Sequence, residues 1–153
     1  MVKELPLSEI NLRRYEKPYL SSKRELARKV CLSLGLLQPG DSRDVVVDVL
    51  IVLDDLRKKR EWVGVGELRE KVRAIREQHS LETKGLAESN IRRQLKRLRE
   101  MMVVDKQGNQ YRLAEFMPLS EIFKERIESF LLPKIVERVK EYLKEFDESD
   151  TLK

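Results

Sequence analysis

The chain has 153 residues, and its 32 Lys and Arg against 27 Asp and Glu give a formal charge of +5. This length suits one domain, or one small domain with an appended element, and 41% hydrophobic residues suffice for a core. One Cys and one His exclude an intramolecular disulfide and Cys/His metal clusters. No apolar run approaches the ~18 residues of a membrane span, and no secretory h-region is present, so we expect a cytoplasmic protein without metal or cofactor. The 39% of charged residues fits a thermophilic source.

The charge is spread unevenly along the chain. Residues 1–40 carry 8 basic and 4 acidic side chains, residues 41–117 carry 17 and 14, and residues 118–153 carry 7 and 9. An excess this small does not by itself indicate nucleic acid, whereas clustering of cations on one face would.

Residues 1–40 predict an arm followed by one helix. Pro6 and Pro18 interrupt the arm, Ser21-Ser22 offers an N-cap, and Gly35 suits a left-handed helix end. The apolar stripe between cap and end consists of Leu26, Val30, Cys31 and Leu34. We predict a solvated face for the cations beside this stripe, which are Lys23, Arg24, Arg28 and Lys29. The arm cations can be solvated or can contact DNA, and these are Arg13, Arg14 and Lys17.

A second helix is predicted over residues 43–60, after a turn whose Asp41 and Ser42 can cap it. Its many valines leave a strand possible for Val45–Leu53. We favour the helix because acidic residues, interpreted as solvated, interrupt the run at helical intervals. They are Asp44, Asp48, Asp54 and Asp55.

Two further helices and a hairpin follow. Trp62–Val65 predicts a short strand, with Trp62 packing on a small sheet, and Leu68, Val72 and Ile75 mark an amphipathic helix that ends near His79. The clearest helix spans Leu86–Met102, with its buried stripe at Ile91, Leu95, Leu98 and Met102. Two β-type runs around Lys106–Asn109 then indicate a hairpin. Beyond Pro118 the tail predicts one kinked helix or two helices.

The element order from residue 43, ending in a basic helix and a Gly-tipped hairpin, resembles the winged helix-turn-helix fold of transcriptional regulators. The resemblance rests on Ser89-Asn90-Ile91-Arg92-Arg93-Gln94-Leu95-Lys96-Arg97-Leu98-Arg99 and the hairpin behind it, and covers residues 43–114. The whole looks like an archaeal-type regulator. Two departures stand out: residues 66–86 are longer than the usual second helix and turn, and Met101-Met102 replaces a common Gly-Leu exit.

The resemblance implies a winged helix-turn-helix core of three helices plus a small β-hairpin wing. With the extra N-terminal helix and the C-terminal helical extension predicted from the periodicity on either side, the fold is expected to be mainly α. The corresponding units are residues 1–40, 41–117 and 118–153. The resemblance also implies that residues 87–100 form the recognition helix in the major groove and residues 103–113 the wing on the DNA backbone.

The residues support this interpretation physically. Opposite the buried stripe of the basic helix lie Ser89, Asn90, Arg93, Lys96 and Arg97, with Glu100 among them. Arg and Asn pair with base edges, so Arg93, Arg97 and Asn90 are expected to read bases. The residues expected to contact the DNA backbone are Ser89, Lys96, Lys106 and Arg112. The predicted DNA-binding residues are Ser89, Asn90, Arg92, Arg93, Lys96 and Arg97 on the helix, with Lys106 and Arg112 on the wing.

The tail carries more aromatic surface than a lone helix can bury, which predicts a homodimer through the C-terminal helices. The residues expected at that interface are Ile122, Phe123, Ile127, Phe130, Val139, Tyr142 and Phe146. Alternatively the tail folds back on helix 22–34 or 43–60.

No Gly-rich phosphate loop or catalytic triad is present in the sequence, so we expect no enzyme. The predicted function is sequence-specific binding of double-stranded DNA and regulation of transcription. The alternative is a winged-helix protein–protein interaction module in a larger assembly, without direct DNA readout.

Overall fold

The computed structural model describes residues 4–19 and 21–150, which form a mainly helical fold with a small antiparallel sheet. Three elements besides the α-helices and strands complete it: a 3₁₀ turn Ala114–Phe116, a π-helical segment Phe123–Leu131 and the extended arm before the first helix. The other elements are α1 Lys23–Ser33, α2 Val45–Lys58, β1 Val63–Gly64, α3 Val65–Gln78, α4 Glu88–Glu100, β2 Val104–Gln107, β3 Gln110–Leu113, α5 Leu119–Ile122 and α6 Leu132–Glu148.

The predicted ends of α1 are confirmed. The Ser22 hydroxyl accepts a hydrogen bond of 3.1 Å from the Glu25 backbone N–H, which makes Ser22 the N-cap. Gly35 has a φ of +73°, and a Cβ at this position would collide with the Asn11 carbonyl of the arm. Only glycine therefore allows the arm to lie directly against the end of α1.

The run of valines folds as the helix α2, so the choice between helix and strand is confirmed for helix. It is buried nearly all round, which explains why so many of its residues are β-branched and apolar. The predicted cap is wrong: the helix begins after Asp44, and the Asp41 carboxylate instead accepts a hydrogen bond of 2.9 Å from the Arg43 backbone N–H.

The sheet has the strand order β1-β3-β2, with both neighbouring pairs antiparallel. Val63 pairs with Tyr111, and Lys106 pairs with the same tyrosine from the other side. The predicted hairpin is therefore present, and the short strand before α3 joins it. Trp62 packs edge-on against Phe116 with ring centroids 6.0 Å apart, as expected for a residue that anchors the sheet.

A buried ion network ties α1, α2 and α3 together, which corrects the prediction of solvated charges. Asp48 of α2 is fully buried, and Arg76 of α3 contacts it at 2.6 Å and Asp44 at 3.0 Å. Arg24 of α1 pairs with the same two aspartates, and Arg28 contacts Asp44 at 3.0 Å. These side chains therefore stabilise helix packing, and Arg76 adds no charge to the surface.

The tail forms one continuous helical rod of α5, the π-helical segment and α6, so the structure has a single helix with an irregular middle. Pro133 lies in the first turn of α6, where its missing N–H costs least. Ile122 and Ile127 are fully buried in the same core as α1 to α4. The first part of the tail thus folds back on the chain itself. Among the described residues, no helix has the length and apolar character needed to cross a bilayer.

Candidate nucleic-acid interface

The structure places α4 with one narrow apolar stripe in the core. Ile91, Leu95 and Leu98 are completely buried, as the periodicity predicts. Met101 is also buried, just beyond the helix, whereas Met102 is half-buried with a φ of +65°. The buried stripe fixes the rotation of α4 about its own axis. The side chains on the remaining sides of the helix therefore determine what α4 presents to solvent.

The solvent-exposed face of α4 is rotated relative to the predicted one. At about 100° per residue from Ile91, Arg99 lies near 80° and Lys96 near 140°, whereas Arg97 lies near 240°. We call the exposed positions between about 60° and 200° the α4 face. It consists of Glu88, Ser89, Arg92, Arg93, Lys96, Arg99 and Glu100.

Five side chains on the α4 face make no hydrogen bond or ion pair with any described residue: Ser89, Arg93, Lys96, Arg99 and Glu100. Ser89, Arg93 and Lys96 are predicted DNA contacts. Arg99 was not predicted as a contact, because it lies beside the buried stripe rather than opposite it. Arg92 forms an exposed ion pair of 3.3 Å with Glu88 one turn earlier. The α4 face therefore presents four cations against two carboxylates.

Arg97 and Asn90 lie on the side of α4 that the chain itself covers. The Arg97 guanidinium donates to the Leu36 carbonyl at 2.6 Å and to the Gln94 side-chain oxygen at 3.0 Å. Asn90 donates to the Gly85 carbonyl at 2.7 Å and closes the loop between α3 and α4. In this structure two of the three residues predicted to read bases, Arg97 and Asn90, therefore position α4, and only Arg93 extends from its exposed face.

The hairpin lies beside the C-terminal half of α4, and these two elements, together with Trp62 and Arg126 of the tail, line an open groove of about 680 Å³. We call it the basic groove. Its charged lining consists of Lys96, Arg99, Lys106, Arg112 and Arg126 against Glu100 and Asp105. Cations thus outnumber carboxylates along it, which makes it a second surface suited to phosphate groups.

Arg112 of β3 is held in place from three sides. Its Nε donates to Asp105 at 3.0 Å, and its guanidinium lies 4.4 Å from the Trp62 ring centroid and 4.7 Å from that of Phe116. Asp105 also contacts Arg126 of the tail at 3.5 Å. Lys106 is exposed at the hairpin, 5.7 Å from the Tyr111 ring centroid. Of the two predicted wing contacts, Lys106 is therefore the more accessible.

Arg13 joins the arm to the end of α1 and the loop that follows it. Its guanidinium donates to the Leu32 and Leu37 carbonyls, each at 2.9 Å, and to the Gln38 side chain at 2.6 Å. Arg13 is therefore not a freely solvated cation; its guanidinium closes the loop after α1. Arg14 is exposed.

Cys31 and His79 lie where the sequence predicts. Cys31 is completely buried, and burial raises the pKa of its thiol to about 12. His79 is the C-cap of α3, with its Nδ1 2.9 Å from the Ile75 carbonyl. Within residues 4–19 and 21–150, no three His, Cys, Asp or Glu side chains come together in a way that could hold a metal ion.

Comparison of the chain with protein-family models, with curated proteins and with solved structures gives no match.

Proposed function

We propose that the protein binds double-stranded DNA as a winged helix-turn-helix regulator of transcription, with α4 as the recognition helix and the β2–β3 hairpin as the wing. The observation that carries the proposal is the α4 face, where four cations stand on a helix whose opposite side is locked in the core. A major groove about 12 Å wide admits one such helix. The element order of helix, strand, two helices and hairpin supports the same interpretation.

The contacts divide by their chemistry and position. Arg93 lies on the α4 face with no partner among the described residues, and a guanidinium pairs in a bidentate way with a guanine edge. Lys96 and Ser89 suit phosphate oxygens, as does Arg99 where α4 borders the basic groove. Lys106 extends the cationic surface onto the hairpin. Arg97, Asn90 and Arg112 act as positioning residues, because their polar groups already bind the chain itself.

A second candidate function is a protein–protein interaction module in a larger assembly. The observation that favours it is the pair of carboxylates on the α4 face, Glu88 and Glu100, together with Asp105 in the basic groove. A surface of mixed sign suits a protein partner better than a phosphate backbone.

Fluorescence anisotropy of a labelled, mixed-sequence duplex separates the two functions. The test variant replaces Arg93, Lys96 and Arg99 of the α4 face by Ala. The matched control removes the same charge at three exposed cations elsewhere, Arg43, Lys59 and Lys124. DNA binding requires that the test variant lose at least tenfold in affinity and the control much less. Equal losses, or no binding by the wild-type protein, would reject the proposal.

A further inference from the structure

The last helix of the chain has no core to pack against. None of the residues of α6 is buried, and among the described residues its extensive contacts are all with the π-helical segment before it. Its apolar side chains are nevertheless large, and Tyr142 and Phe146 are 73% and 77% exposed. A surface helix in water gains most of its stability from packing an apolar face, so α6 lacks a partner within the chain.

The apolar residues of α6 follow a coiled-coil pattern. Successive spacings of three and four residues connect Leu132, Ile135, Val139, Tyr142 and Phe146. This average of 3.5 residues is the period of a left-handed two-helix seam. Val136 and Leu143 widen the seam on one side, and both are exposed. The pattern predicts a second helix as the occupant of this face, rather than a small molecule.

The charges of α6 are segregated along the length of the helix. The first half, residues 132–140, carries Lys134, Arg138 and Lys140 against Glu137 alone. The second half, residues 141–148, carries Glu141, Glu145, Asp147 and Glu148 against Lys144 alone. The last turn contains no basic residue, although the helix dipole favours cations at this end. The acidic C-terminal half of α6 is therefore not explained by the stability of an isolated helix.

We propose that α6 pairs with α6 of a second copy of this chain in an antiparallel coiled coil. This arrangement places the basic half of each helix against the acidic half of the other, whereas a parallel pair would bring like charges together. In an antiparallel seam each residue lies beside one from the other apolar position of the heptad, so Val139 lies beside Tyr142 of the second copy. Ile135 then lies beside Phe146 of the second copy.

The proposal narrows the predicted dimer interface. Ile122 and Ile127 are fully buried in their own chain and have no surface left for a second copy. Phe123 is partly buried against the same core. Phe130 is 44% exposed and lies near the end of the π-helical segment, just before α6. The interface therefore lies on α6, with Val139, Tyr142 and Phe146 at its seam.

An antiparallel pair has a twofold axis through its centre, so the two α4 faces are related by that axis. If the proposed function holds, the preferred DNA site is an inverted repeat. The pairing itself does not depend on DNA binding: variants of the α4 face should remain dimeric, and a monomeric wild-type protein that binds DNA would overturn the pairing alone.

Sedimentation equilibrium tests the pairing directly. The wild-type chain should have the mass of a dimer at tens of micromolar, and Val139→Glu with Tyr142→Glu should be monomeric. The control Lys144→Ala lies off the seam and should remain dimeric. Circular dichroism of all three proteins checks that α1 to α5 remain folded. A monomeric wild-type chain, or a dimer that survives the double substitution, would overturn the proposal.

Cysteine cross-linking tests the orientation. Ile135→Cys and Phe146→Cys are made as separate variants, with the buried native Cys31 kept in both. The two positions are about 17 Å apart along one helix. An antiparallel pair predicts little disulfide dimer in either variant alone and abundant dimer when the two are mixed and oxidised. Efficient cross-linking of each variant with itself would show a parallel pair and contradict the proposal.

Discussion

Arg97 of α4 donates a hydrogen bond of 2.6 Å to the backbone carbonyl of Leu36, which lies in the loop after α1. A longer contact of 3.4 Å reaches the neighbouring carbonyl of Gly35, where the arm also packs. This link fastens the N-terminal part of the chain to one side of α4. It therefore decides which cations of that helix remain exposed and which are covered.

Arg97→Ala should lower the stability of the fold by about 1–3 kcal/mol, because two carbonyls lose a charged donor. Arg93→Ala, one turn earlier and exposed, should change stability by less than about 0.5 kcal/mol. Urea denaturation followed by circular dichroism measures both. Equal effects of the two substitutions would contradict the positioning role of Arg97.

Arg93 and Lys96 should differ in how they contribute to DNA binding. Arg93→Ala should reduce both affinity and discrimination between sequences, since its guanidinium is assigned to a base edge. Lys96→Ala should weaken binding to all sequences alike and reduce the salt slope by about 0.9, the value of one phosphate contact. Binding to a selected site and to random DNA, each over a salt series, measures these quantities. Small and equal effects of both substitutions would contradict the assignment of Arg93 to a base edge and of Lys96 to a phosphate.

Glu100→Gln should strengthen DNA binding. The carboxylate lies on the α4 face and at the edge of the basic groove, where it repels phosphate groups. Removal of one exposed charge of this kind should raise affinity by roughly two- to fivefold at low salt, and less at high salt. The exposed Glu77 at the end of α3 provides the control, as Glu77→Gln. A gain no larger than that of the control would argue that DNA does not approach the α4 face.

Asp48→Asn should destabilise the protein by about 3–5 kcal/mol, since it leaves Arg24 and Arg76 without the buried carboxylate that both contact. Asp55→Asn is the matched control on the same helix, because Asp55 is exposed. Thermal unfolding should show a much lower midpoint for the first variant and little change for the second. Similar midpoints would mean that the network does not hold α1 and α3 on α2.

The Cys31 thiol should be unreactive in the folded protein. Burial raises its pKa from 9.0 to about 12, so thiolate is scarce at pH 8 and the sulfur is inaccessible. Between pH 9.0 and about pH 12, the Cys31 thiol is deprotonated in the unfolded chain but protonated in the folded one. The contribution of Cys31 to stability therefore falls as the pH rises through this range. A chromogenic disulfide reagent should react slowly at pH 8 and rapidly in concentrated guanidinium chloride. Rapid reaction with the folded protein would contradict the burial of the Cys31 thiol.

Periodicity and local turn chemistry predicted most of the fold. The Ser22 cap, the helix α2 and the buried stripe of α4 all follow from residues within one or two helical turns of each other. The two-stranded hairpin follows from the turn residues around Gly108. Each of these features depends on contacts that are close in the sequence.

The surface of the candidate site was less predictable, because its neighbours are distant in the sequence. Arg97 binds carbonyls 61 and 62 residues away, and no helical pattern indicates that a loop will cover its side of α4. Arg76 and Asp48 are 28 residues apart, and each looks like a solvated charge in its own helix. Periodicity predicts which side of a helix faces the core but not what covers its flanks.

The measurement that tests the central claim most directly is the affinity of the wild-type protein for a mixed-sequence duplex over a range of salt concentrations. The four cations of the α4 face, with Lys106 of the hairpin, predict binding that weakens steeply with salt. Each neutralised phosphate contributes a slope of about 0.9 log unit in affinity per log unit of salt. A slope of several such units supports DNA binding through α4. No binding even at low salt would contradict it and favour a protein partner for this surface.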